Sequence, residues 1–67
     1  MNEFTISLAA ARVNAGLSQD QLCKILNISK TTLSNWERGH KEPPYNAVRR
    51  LSELSGIPME FLFVPEN

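Results

Sequence analysis

Apolar side chains recur along this chain in short bursts at three- and four-residue spacing, each burst closed by a glycine, an asparagine or a proline pair. That rhythm predicts short amphipathic helices rather than strands. A first helix is expected from Ser7 to Ala15, with Ser7 as N-cap, Leu8, Ala11 and Ala15 on one face and Gly16 taking the left-handed position after its end. Ser18 opens a second. Ser18-Gln-Asp-Gln21 fits a capping box, Asp20 suits the positive helix end, and Leu22, Cys23 and Leu26 form the inner face. Asn27 tolerates a left-handed turn, Ile28 is an apolar plug inside it, and Ser29 caps a third helix with Leu33 and Trp36 inward and Gly39 at its stop. Pro43-Pro44 precede a fourth, roughly Tyr45 to Ser55, in which Tyr45, Val48, Leu51 and Leu54 recur every three residues. Beyond Gly56, Pro58 suits the start of a short fifth turn carrying Met59 and Leu62. The ends, Phe4-Thr-Ile6 and Phe61-Leu-Phe-Val64, favour extended backbone and could pair as a small ribbon near a dimer contact.

The informative stretch runs from Ser18 to Gly39. Two short helices around a tight turn bring Leu22, Leu26, Ile28, Leu33 and Trp36 inward together, and Cys23 is the small residue where they cross. By pattern alone this is a helix-turn-helix, a unit that presents its second helix outward. The outward face reads Lys30, Thr31, Ser34, Asn35 and Arg38, and no carboxylate occurs between residues 29 and 35. Donors, cations and a methyl group without acidic repulsion suit the major groove of DNA.

Charge changes the picture in one respect. Seven basic and seven acidic residues leave the chain neutral, which argues mildly against nucleic acid. The charges are segregated, however. From residue 24 to 50, Lys24, Lys30, Arg38, Lys41, Arg49 and Arg50 stand against Glu37 and Glu42, whereas residues 1–23 set Arg12 against Glu3 and Asp20, and residues 51–67 hold Glu53, Glu60 and Glu66 with no Lys or Arg. A basic middle between acidic ends can meet phosphate although the whole is neutral.

With these residues in place, the chain resembles the Cro/CI-type helix-turn-helix domain, the XRE-like and lambda-repressor-like family of phage repressors and small bacterial regulators. Gly16-Leu-Ser-Gln19, Trp36-Glu-Arg-Gly39, Pro43 and Gly56-Ile57 carry the resemblance, in that order and spacing, over about residues 7–63. It implies a compact all-α, five-helix fold. It also implies that Gln19 anchors a phosphate and braces the recognition helix, and that Ser29 is a phosphate-contacting cap. Lys30, Thr31 and Asn35 match positions that reach base edges; Thr32 and Ser34 complete the implied DNA-binding set. Arg38, His40 and Lys41 match a second phosphate-binding stretch, and Arg12 and Glu37 a partly buried ion pair. The pair has support from the residues themselves, since Arg12 neighbours the inward Ala11 and Glu37 follows the inward Trp36. Cys23, Asn27, Pro44 and Pro58 replace the family's usual alanine, glycine and capping residues. Ile25 and Phe61 are apolar where the family is polar, which points to an extra contact surface.

Other chemistries find little support. One cysteine excludes an internal disulfide, and one histidine beside it cannot complete a four-ligand zinc site. No spacing assembles a catalytic triad, and no glycine-rich phosphate loop is present. Cys23 and Trp36 read as core, Arg49 and Arg50 as a solvated helix face, and His40 as an exposed loop residue. No stretch reaches the length of a membrane span or looks like a signal peptide. The expectation is a cytoplasmic, cofactor-free, non-enzymatic single domain over residues 1–67. It binds double-stranded DNA as a homodimer and acts as a repressor at a palindromic operator. The rival is a partner-binding, antitoxin-like module on the same fold, which the neutral charge and acidic C-terminal third favour.

Overall fold

The computed structural model describes residues 5–63 of the chain. Its elements in order are strand β1 (Ile6–Ser7), helices α1 (Leu8–Asn14), α2 (Gln19–Leu26), α3 (Lys30–Arg38) and α4 (Tyr45–Ser55), a single 3-10 turn at Met59–Phe61, and strand β2 (Leu62–Phe63).

Local chemistry accounts for most of the boundaries. Ser7, Ser18 and Ser29 each accept a backbone N–H three residues on, at Ala10, Gln21 and Thr32, and so satisfy donors that a helix start leaves open. At Ser18 the box closes in both directions, because the Ser18 N–H donates to the Gln21 side chain at 2.8 Å. Asn27 ends α2 at φ 57° and Gly39 ends α3 at φ 81°, both left-handed. An asparagine can hold that conformation at modest strain, which is why the turn between α2 and α3 can be this tight without glycine.

The helices close over a core of Leu8, Ala11, Leu22, Cys23, Leu33, Trp36, Val48, Leu51 and Leu62, with Ile6, Leu17, Leu26, Ile28, Ala47, Leu54, Ile57 and Met59 packed against it. α1 lies against α4, α2 against α3, and β2 reaches back to α1. The fold is therefore mostly helical, as an all-α helix-turn-helix domain should be.

Two expectations need correction. The fifth helix does not form: Met59–Phe61 makes one 3-10 turn and the chain then extends into β2. Helix nucleation fixes several residues for one hydrogen bond, and here Leu62 is instead drawn into pairing with Ile6 while its side chain fills the core. Tyr45 is also misassigned, being 67% exposed. A strict three-residue repeat drifts by about 60° per step on a helix of 3.6 residues per turn. The buried arc of α4 follows Ala47, Val48, Leu51 and Leu54, and Tyr45 lies round the helix from it.

The ends do pair, as a two-residue parallel ribbon with Ile6 opposite Leu62 and Ser7 opposite Phe63. The contributions assigned to Phe4, Val64 and the Phe63 side chain fall outside the described residues. Among the described residues, no helix is long and apolar enough to cross a membrane.

Candidate nucleic-acid interface

The outward side of α3 forms one wall of a shallow, open groove lined by Gln19, Lys30, Thr31, Ser34, Asn35 and Arg38. Five of these lie on α3 at positions i, i+1, i+4, i+5 and i+8, a single stripe at 3.6-residue spacing. Its opposite stripe, Leu33 and Trp36, is buried. Burying those two fixes the rotation of α3 and thereby aims the polar stripe at solvent. Gln19 joins it from α2.

The remaining sequence-assigned positions divide by role. The Ser29 hydroxyl caps α3 and lies 2.8 Å from the Thr32 hydroxyl, so this pair is engaged in ordering the first turn of α3. His40 and Lys41 are exposed just past the helix, and both backbone N–H groups bond the Asn35 carbonyl, at 2.9 and 3.3 Å. That folds the loop back beside the end of the stripe. Arg49 and Arg50 stand on α4 and both approach Glu53, at 3.6 and 3.5 Å, on an exposed surface.

Beneath the groove, Arg12 and Glu37 form an ion pair at 2.8 Å, with their side chains only 14% and 9% exposed. The second Glu37 oxygen accepts from Gln19 Nε2 at 2.9 Å, and Arg12 Nη1 donates to the Leu17 carbonyl at 2.9 Å. One carboxylate thus ties α1, α2 and α3 together. Gln19 therefore braces α3 through Glu37 while standing at the groove wall.

One side chain of this surface was absent from the sequence assignment. Asp20, in the first turn of α2, brings its carboxylate to 3.5 Å from the Lys30 ammonium. The acid-free run from 29 to 35 holds along α3, but the neighbouring helix supplies an acid at its edge. No signal along the chain marks this, because Asp20 at a helix start is already explained by the helix dipole.

Cys23 is buried in the core, and burial pushes its thiol pKa up, with the Asp20 charge adding to the effect. A thiol held protonated and out of solvent is a packing group rather than a nucleophile. Alkylation of Cys23 by iodoacetamide should therefore proceed only as fast as the fold opens, and should accelerate sharply through the denaturant transition. Rapid labelling under native conditions would place the thiol at the surface.

A family model described as helix-turn-helix matches residues 8–62. The chain belongs to the helix-turn-helix family. Two curated relatives resemble this helix-turn-helix domain. The HTH-type transcriptional regulator ImmR of Bacillus subtilis (strain 168) is 34% identical over 55 residues, covering 82% of this chain and 43% of that protein. The HTH-type transcriptional activator BcrR of Enterococcus faecalis is 29% identical over 65 residues, covering 97% of this chain and 32% of that protein. The domain thus spans less than half the length of these relatives. No solved structure matches it significantly.

Proposed function

We propose that this chain is a cytoplasmic, sequence-specific regulator of transcription that binds double-stranded DNA through α3. The groove of Gln19, Lys30, Thr31, Ser34, Asn35 and Arg38 carries the reading, because it gathers donors and cations from two helices into one strip. A helix of this width enters the major groove, where base edges expose distinct donor and acceptor patterns. Lys30, Thr31 and Asn35 face those edges in this proposal. Ser29, Arg38, His40 and Lys41 hold the flanking phosphates, Thr32 keeps the Ser29 cap in place, and Ser34 fills the space between helix and backbone. The names of both curated relatives, a transcriptional regulator and a transcriptional activator, are consistent with such a role.

A single nine-residue helix reads few base pairs. Pairing two copies about a two-fold axis adds a second half-site about one helical turn away and multiplies discrimination. We therefore assign the chain a homodimeric state on a palindromic operator, where occupancy blocks transcription. Residues 1–67 act as one binding unit in this scheme, without cofactor or catalytic chemistry.

Titrating a duplex enriched from a random pool over a range of salt concentrations tests the reading. Each neutralised phosphate should contribute about −0.9 to the log–log slope, so a binder using Arg38, Lys41 and further groups shows a steep dependence. A flat dependence, or no binding, would favour a partner-binding module instead.

A further inference from the structure

Lys30 opens α3 at the rim of the groove, with its ammonium 3.5 Å from the Asp20 carboxylate. The two side chains are 62% and 74% exposed. At that exposure a pair adds little to folding stability, so its consequence falls on what Lys30 can do.

Binding to arbitrary duplex is driven by cations near phosphates and the counterions they release. A lysine whose charge is matched by an adjacent carboxylate contributes little to that. Reading a base edge is different, because it depends on short, directed hydrogen bonds. The ammonium has three donors, so Lys30 can keep one on Asp20 and offer the others to the O6 and N7 acceptors of a guanine. Asp20 stands in the first turn of α2, and its contact with Lys30 sets a negative charge beside the groove, which a duplex docked on α3 through Lys30 would meet. Like charge set against an unwanted contact raises selectivity even as it lowers overall affinity.

We infer that Asp20 is a specificity-determining residue. It tethers the Lys30 ammonium toward the base edge and repels backbone phosphate, weakening binding to arbitrary sequence more than binding to the operator. The inference rests on the DNA-binding reading above.

The test compares the parent chain with Asp20→Asn, which removes the charge at nearly constant shape on an exposed position. Both are titrated with the enriched duplex and with a scrambled duplex of equal length. Asp20→Asn should bind the scrambled duplex roughly two- to fivefold tighter, the scale of one exposed charge interaction. Binding to the enriched duplex should change less, so the specificity ratio falls, and preference at the base pair read by Lys30 should broaden. In a Lys30→Ala background, Asp20→Asn should no longer broaden that preference. A parent that discriminates between the duplexes, with Asp20→Asn showing the same ratio and preference, would overturn the role of Asp20 and leave the DNA-binding reading standing. A parent that binds neither duplex would overturn both.

Discussion

Glu37→Ala should lower folding stability by about 3 kcal/mol, because it strands the Arg12 guanidinium in a largely buried site. For a domain of this size, a loss on that scale lowers the melting temperature by more than about 10 °C. Gln19 loses its acceptor in the same step, so α2 is loosened from α3 as well. The matching double replacement, Arg12→Leu with Glu37→Leu, should cost clearly less than Glu37→Ala, since no charge is left without a partner. Calorimetric melts of the three proteins check this. A Glu37→Ala variant that loses less than about 1 kcal/mol would behave like an exposed surface pair and contradict the burial of these side chains.

Lys30→Ala and Arg38→Ala should separate base reading from phosphate holding. Loss of Lys30 should cost about 1–3 kcal/mol at the enriched sequence and relax the preference at one base pair. Loss of Arg38 should weaken binding to every duplex alike and make the salt slope shallower by about one contact. Both side chains are exposed at the groove, so neither change should disturb folding. Competition titrations with each single-base variant of the duplex give the comparison. Two variants that bind as the parent does would move the interface away from α3.

Much of this molecule is legible in its sequence, and the reason is that the legible parts are local. A serine three residues before an unsatisfied amide caps a helix wherever it occurs, and Ser7, Ser18 and Ser29 all do so here. Asn27 and Gly39 mark left-handed helix ends through their own conformational preferences. Spacing of Leu33 and Trp36 set the inner side of α3, and its outer side followed by subtraction. The same reasoning failed where a pattern could be counted in more than one way. Tyr45 fitted a three-residue repeat that the helix does not keep.

Tertiary packing settled what no neighbour in the chain could. Residues 59–63 had a helical reading through Pro58 and Met59 and an extended one through Phe61 to Val64. Pairing with Ile6 and Ser7 chose the extended form at Leu62 and Phe63, in parallel register. The Glu37 carboxylate could be placed beside Arg12 from the positions of their buried neighbours, yet its second bond to Gln19 depends on how α2 crosses α3. Asp20 shows the division most sharply. Along the chain it is an acid at a helix start, and its meeting with Lys30 exists only because two helices bring those side chains to one edge. Capping and periodicity act within one or two turns and are written in consecutive residues. Ion pairs between helices, the register of paired ends and the charge on a binding face depend on distances the chain acquires only when it closes on its core.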